Sequence, residues 1–497
     1  MPHQSPDLRY GTAAGRGTLA ATVLGSGIVF LDGTVVNVAL PTIGEDLGVS
    51  LSGLQWTVNA YLVTLSALLL LGGSLGDRYG RRRVFVLGLV VFTAASVLCG
   101  LAPTATTLVV ARTLQGVGGA LLVPGSLSII AASFRPEDRG RAIGAWSGLS
   151  GVSTAIGPFL GGWLVDAASW RWIFLLNVPL AAVAVVVALR HVPETSADTG
   201  GGLDVPGAVL VTVGLGALSY AAIEHQRPAA VPVGLVGLLA LAAFVVVQAR
   251  GSHPMVPLGL FRSRQFTGAN LTTLAVYAAL GGALFLVVIR LQVSLGYSAL
   301  EAGAATVPFT VLLLVLSPTA GALGQRVGPR LPMTVGPLVA AGGLWLFAGV
   351  GPGDGYVPDV LLAAVVFGLG MSITVAPLTS AVLGAVPDER AGVASGINNA
   401  VARLAGLLAV AALPALAGMG TGDDLAASLD EGYARAMVMA AVLCAAGGLV
   451  AAAVVRGGEP VRATVHPAPD HACHDAALRP VAPGPAPPST SPPPPRR

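Results

Sequence analysis

The chain has 497 residues, 54% hydrophobic and 10% charged, with a mean hydropathy of +0.78 and a formal net charge of +3. A soluble protein carries about 25% charged residues, so this chain cannot cover a water-facing surface and its solvent is mostly lipid. Where the charges stand matters more than their sum, and no nucleic-acid partner is expected.

A bilayer core about 30 Å thick needs about 20 apolar residues in helix. Such stretches are predicted at 18–40, 54–75, 83–102, 106–131, 141–164, 172–190, 204–223, 229–249, 266–289, 301–323, 331–350, 357–383, 391–417 and 433–455. The first follows Arg9 and Arg16 and has no short apolar core ending at a small-residue cleavage site, so it reads as a retained span. Only Glu224, His225 and Arg227 separate the seventh span from the eighth. The expected fold is all-α and integral to the membrane, with fourteen spans. The expected organisation is a cytoplasmic tail over 1–17, a six-helix bundle over 18–190, a linker with two additional spans over 191–265, a second six-helix bundle over 266–455, and a Pro-rich cytoplasmic tail over 456–497 that cannot pack a core.

Charge sets the orientation. Loops after even-numbered spans hold Arg78, Arg81, Arg82, Arg83, Arg135, Arg139, Arg141, Arg190, Arg250, Arg262, Arg264, Arg326, Arg330 and Arg390, whereas the other side holds Arg171, Arg227, Arg290 and Arg435. The Arg-rich side is cytoplasmic by the positive-inside rule, which places both termini inside a cytoplasmic membrane.

The chain also repeats itself. The Gly- and Arg-rich loop after span 2 returns in weaker form at Ala320-Gly-Ala-Leu-Gly324-Gln325-Arg326-Val-Gly328-Pro-Arg330. Arg135-Pro-Glu-Asp-Arg139 likewise resembles Val386-Pro-Asp-Glu-Arg390. Spans 1–6 therefore match spans 9–14, spans 7 and 8 are inserted between the halves, and a substrate path is expected between the halves near mid-membrane.

Two ionisable residues stand inside the first half. Asp32 lies about 13 residues into span 1, about 20 Å from the cytoplasmic edge at 1.5 Å per residue. A carboxylate at that depth must be protonated, paired or wetted, which is the chemistry of a proton carrier. Arg112 in span 4 comes to a similar depth from the other side and is placed to pair with it. In span 13, Arg403 stands near mid-membrane. It faces the cavity and binds an anionic or carbonyl-rich substrate, or it satisfies backbone carbonyls of a broken helix. Trp56, Asn59, Tyr61, Gln115, Trp146 and Asn399 are candidate cavity-lining residues. No Walker motif, His/Cys cluster or Ser/His/Asp set is evident, so neither ATP, a metal nor catalysis is expected.

Five motifs in order resemble the major facilitator superfamily, specifically its fourteen-span drug:proton antiporters. They are Leu31-Asp32-Gly-Thr-Val-Val-Asn37-Val-Ala-Leu-Pro41 in span 1, Gly73-Ser-Leu-Gly76-Asp77-Arg78-Tyr-Gly80-Arg81-Arg82 after span 2, Arg112-Thr-Leu-Gln115-Gly116-Val-Gly118-Gly-Ala120 in span 4, Gly157-Pro158-Phe-Leu-Gly161-Gly162 in span 5, and Trp170-Arg-Trp-Ile-Phe-Leu-Leu-Asn177-Val-Pro179 opening span 6. The resemblance implies proton coupling for Asp32 and Arg112. It implies a conformational latch for Gly73, Gly76, Asp77, Arg78, Gly80 and Arg81, with Gln325 replacing the latch acid in the second copy. It implies a sealing and hinging segment, the mark of exporters, for Gly157, Pro158, Gly161 and Gly162. The expected function is proton-driven efflux of small hydrophobic drugs or antibiotics by a monomer, with the proton gradient as energy source and no cofactor. Import of a metabolite with protons, or a membrane sensor with a transporter fold, remain as rival readings.

Overall fold

The computed structural model describes residues 8–196, 202–251, 254–387, 390–420 and 424–456. The expected Pro-rich tail, beyond Arg456, and residues 1–7 lie outside the described residues. Fourteen helices are long and apolar enough to cross a bilayer. They are α1 (Ala13–Leu47), α2 (Leu51–Tyr79), α3 (Arg81–Gly100), α4 (Ala105–Ser133), α5 (Pro136–Ala167), α6 (Trp172–His191), α7 (Val205–Ile223), α8 (Ala230–Arg250), α9 (Arg264–Val293), α10 (Ala299–Val327), α11 (Arg330–Ala348), α12 (Tyr356–Leu383), α13 (Ala391–Leu416) and α14 (Leu425–Val454). Each predicted span falls on one helix. The helices overrun the apolar stretches where polar caps take up their first N–H groups. Thr12 starts α1 by accepting from Gly15 N, and Asp424 starts α14 by accepting from Ala427 N, so α14 begins well before residue 433.

The duplication is visible in the packing. In the first half α1 lies against α5 and α6, α4 against α2 and α3, and α3 against α6; the second half repeats this with α9 against α13 and α14, α12 against α10 and α11, and α11 against α14. The turns repeat as well. Gly48 and Gly80 have φ of 62° and 106°, Gly296 and Gly328 have φ of 73° and 81°, and both pairs keep one spacing (296 − 48 = 328 − 80 = 248). Only glycine holds such angles without strain. The inserted helices α7 and α8 pair with each other, and α7 packs on α2 and α13, one helix from each half.

The halves meet near the ends of the bundle that carry the Gly48 and Gly296 turns. There Gln55 donates to Val410 O (2.7 Å) and Ala411 O (3.1 Å), and Gln292 donates to Val38 O (2.9 Å). Asp166 of α5 accepts from Ala299 N (3.2 Å) and Leu300 N (2.9 Å), which caps α10 of the opposite half. Toward the arginine-rich end α5 and α10 part. A side chain added at Gly140, Gly144, Gly148 or Gly151 would meet nothing within 4 Å. Leu149 of α5 and Val315 and Leu323 of α10 are exposed there.

Candidate functional site

Asp32 and Arg112 form a buried ion pair, Arg112 NH1 to Asp32 Oδ2 at 2.5 Å, with 2% and 1% of each residue exposed. So little water leaves the charges dependent on protein partners, and five helices supply them. Gln115 Nε2 donates to Asp32 Oδ1 (2.8 Å), as does Asn177 Nδ2 (3.3 Å), and both amides also donate to Ser96 Oγ, at 2.8 and 3.2 Å. Arg112 spends Nε on Thr57 O (3.1 Å) and NH1 on Gln115 Oε1 (2.7 Å) as well as on Asp32. Its guanidinium carbon stands 4.3 Å from the centroid of the Tyr61 ring, a cation–π contact, and the Tyr61 hydroxyl donates to Val29 O at 3.3 Å. Each residue is placed by its helix: α1 brings Asp32, α2 Thr57 and Tyr61, α3 Ser96, α4 Arg112 and Gln115, and α6 Asn177. Ser96, Thr57, Arg112 and Asn177 all lie within about two turns of the helix ends remote from the arginine-rich loops.

The geometry explains why arginine suits position 112. A planar fork reaches a carboxylate, an amide oxygen and a main-chain carbonyl at once while stacking on a ring, whereas a lysine ammonium is a single point of charge. Arg112→Lys is expected to keep a reduced, measurable transport rate and Arg112→Ala to lose it, because removing one partner of a buried pair costs about 3–5 kcal/mol. Transport assays beside thermal unfolding of the purified variants check this. Equal activity in both variants would dissociate the pair from function.

The small residues of span 5 divide between two neighbours. Gly157 and Gly161 pack on α1 at Thr34 and Val35, one turn from Asp32, since an added Cβ would come 3.0 Å from Thr34 Cβ and 3.0 Å from Val35 Cγ1. Pro158 and Gly162 face the other half: a Cβ on Gly162 would lie 2.5 Å from Leu300 Cα, and one on Gly303 would lie 2.8 Å from Pro158 C.

In the α2–α3 loop, Asp77 pairs with Arg81 (2.8 Å) within its own turn. Gly80, at φ 106°, lets the backbone pass Glu194, which takes Arg82 N (3.1 Å) and the side chains of Arg82 and Arg83 (both 3.7 Å). Thr195 O accepts from Arg81 N (2.9 Å). Gly73 and Gly76 lie one turn apart on α2, with Pro124 the nearest neighbour of an added Cβ on Gly73 at 3.5 Å, and Arg78 lies 5.7 Å from the Tyr79 ring centroid. Of the expected latch residues, Gly80 and Arg81 thus meet the segment after α6, with Glu194 as an acid the motif did not include.

The expected cavity-lining residues stand in different surroundings. Trp56 turns to the inserted hairpin, donating to Glu224 Oε1 (3.1 Å) beside Tyr220, because Glu224 at the end of α7 offers it an acceptor. Asn59 is 0% exposed, and Tyr61 and Gln115 are taken up by the ion pair. Trp146 donates to Ser26 Oγ (3.1 Å) across the α5–α1 contact. Asn399 is exposed, bonded to Ser395 O, and one turn on Arg403 lies 5.7 Å from the centroid of Phe30 on α1, so these two face the space between the halves. On α1 that space is bounded by Phe30, Gly33 and Asn37.

Sequence reasoning missed Ser96 and the use of Asn177. Asn177 carried a signal, a strongly polar side chain in an apolar run just before Pro179; Ser96 carried none, since serine is ordinary in membrane helices.

The family model described as Major Facilitator Superfamily matches residues 22–410 and 271–489. The chain is 36% identical over 389 residues to the multidrug resistance protein Stp of Mycobacterium tuberculosis, covering 77% of this chain and 72% of that one. It is 35% identical over 413 residues to the tetracenomycin C resistance and export protein of Streptomyces glaucescens, covering 82% and 76%, and 36% identical over 452 residues to a probable actinorhodin transporter of Streptomyces coelicolor, covering 86% and 78%. Among solved structures, a POT family transporter in complex with a thioalcohol-conjugated peptide aligns with a TM-score of 0.67 at 15% identity, over 90% of this chain and 97% of that one. A bacterial homologue of the human lysosomal transporter Spinster, inward-facing and unoccupied, aligns with a TM-score of 0.64 at 16% identity, over 90% and 98%. Those two likenesses bear on the fold alone. Through the family match and its resistance-protein relatives, this chain belongs to the Major Facilitator Superfamily and is a multi-pass membrane transporter, not an enzyme.

Proposed function

We propose that the protein exports small, mostly apolar drugs or antibiotics across the bacterial cytoplasmic membrane in exchange for protons, with Asp32 as proton carrier and Arg112 as its counter-ion. The observation that carries this is the sealed carboxylate. Among the described residues every other acid stands within about two turns of a helix end, so Asp32 is the one group able to load a proton inside the bilayer. The resistance and export proteins named above support the direction of transport.

The arginine bias puts the arginine-rich end in the cytoplasm. The conformation described then opens inward between α5 and α10 and is shut outside. A drug enters between Phe30, Gly33 and Asn37 on one side and Asn399 and Arg403 on the other. Rocking of the halves opens the outer end, close to Ser96, Arg112 and Asn177, and outside water reaches Asp32. Protonation removes the charge that holds Arg112, the drug leaves, and the neutral acid returns inward to release its proton.

Charge limits the cargo. Two separated cationic groups need two buried counter-charges; this interior offers Asp32, already occupied by the proton cycle, and adds the positive Arg403. In proteoliposomes with an imposed pH gradient, ethidium, a monocation, should move against its own gradient, while pentamidine, a dication, should stay near the protein-free background. Transport of pentamidine without ethidium would overturn the cavity described here. Movement of ethidium that ignores the pH gradient would overturn proton exchange.

A further inference from the structure

Two amides donate to Asp32, and they are held differently. Gln115 is fixed in one sense, because its Oε1 accepts from Arg112 NH1 (2.7 Å) and from Cys99 Sγ (3.7 Å). Asn177 donates through Nδ2 to Asp32 Oδ1 and Ser96 Oγ, while its Oδ1 is buried without a hydrogen-bond partner. It sits where α6 is interrupted at Leu176, two residues before Pro179, which supplies no N–H to Leu175 O.

We propose that Asn177 is a positioning residue that follows the protonation of Asp32: its amide donates to the ionised carboxylate, and turns over to accept the O–H of the protonated acid. This rests on Asp32 being the proton carrier. A carboxylate accepts only; a carboxylic acid brings an O–H that must find an acceptor in a dry site. The groups facing Asp32 offer little choice. Arg112 from α4 has donors alone. The Tyr61 hydroxyl from α2 is spent on Val29 O, and Cys99 from α3 lies against Gln115. Helix α5 meets α1 through Gly157 and Gly161, and Arg403 from α13 lies over Phe30. The orphaned Asn177 oxygen remains. A half-turn about its last side-chain bond exchanges Nδ2 and Oδ1 at no change in volume. Oδ1 then accepts from Asp32 and from a rotated Ser96 hydroxyl. One proton is added to Asp32 Oδ1, no other bond to hydrogen breaks, and the reverse turn returns it.

The test is infrared difference spectroscopy of the full chain in lipid across a pH titration, with the Asp32 acid band assigned by its loss in Asp32→Asn. With isotope-labelled asparagine, the Asn177 carbonyl band, assigned by its loss in Asn177→Leu, should shift as Asp32 protonates. In Asn177→Leu the acid carbonyl band should move to higher frequency, as expected of an acid without an acceptor. Both forms lose a bond in Asn177→Leu, the acid its acceptor and the carboxylate one of its donors, so ethidium export should fall about tenfold at the wild-type optimum. Asn177→Ser, able both to donate and to accept, should restore the band and the export. An acid band unchanged in Asn177→Leu would overturn the proposal, whether or not export is lost. Should Asn177→Leu not fold, the carbonyl labels of the wild type decide, read as the difference between wild type and Asn177→Ser: no asparagine shift on protonation overturns it. Failure to find any Asp32-dependent acid band would instead overturn the proton-carrier reading itself.

Discussion

Asp32→Asn is expected to reduce pH-driven drug export to the level of vesicles without protein while leaving the chain folded and inserted. The amide fills the same space between α1 and α4 and still offers an oxygen to Arg112, but it carries no proton through the cycle. Arg112 keeps Thr57 O, Gln115 Oε1 and the Tyr61 ring, so its charge is not abandoned in the bilayer. The neutral amide resembles the protonated acid from which the drug leaves, so the variant should bind drug more weakly, yet it should still exchange labelled drug for unlabelled drug across the membrane, because that half-cycle needs no net proton movement. Counterflow measured beside gradient-driven uptake at matched reconstitution separates the two. Full gradient-driven export by the variant would remove Asp32 from the mechanism.

Gly162→Leu should abolish transport by a different route. Position 162 touches the backbone at Ala299 and Leu300 of the opposite half, where no side chain can yield enough to admit a leucine. Overpacking of close contacts costs about 1–3 kcal/mol or more, and here the strain is relieved by separating α5 from α10. The bundle should then stay open at the end it now closes, with the Asp166 cap on α10 broken. Spin labels at the ends of α5 and α10 should report a longer distance than in the wild type. Gly148→Leu lies on the open side, with nothing within 4 Å, and should leave the conformation described here unchanged. An unaltered distance in Gly162→Leu would show that this contact does not hold the halves together.

The contrast between positions 162 and 148 shows how far the sequence could be read. Fourteen apolar stretches of membrane length and the repeated basic loop are one-dimensional signals, and each maps onto a helix or a turn. The depths of Asp32 and Arg112 follow from counting residues along a helix, so their meeting was legible too. Which face a glycine turns was not. Gly157 and Gly162 look alike in a membrane helix, yet one packs on its own half and the other on the partner half, because 100° per residue only has meaning once the neighbours are known. The side chains of Trp56, Asn59, Tyr61 and Gln115 illustrate the same limit. A polar or aromatic residue within a span must face protein or water, and the sequence does not distinguish a helix neighbour from a cavity. Glu194 was hidden for another reason: its partners, Arg82 and Arg83, lie more than a hundred residues earlier, and nothing local marks the contact.

The inserted hairpin alters what a duplicated bundle can do. Two similar halves related by a pseudo-two-fold axis would have two alike crevices facing lipid, one between α2 and α13 and one between α5 and α10. Helix α7 occupies the first, sharing a buried apolar cluster with Val63 and Ala67 of α2 and Leu407 of α13, while α8 leaves most of its apolar length exposed on the outside of the bundle. Among the described residues the second crevice carries no such plug. The two flanks of the transporter are therefore unequal toward the bilayer, and a molecule dissolved in the leaflet at the arginine-rich end meets a wall on one flank and a doorway on the other.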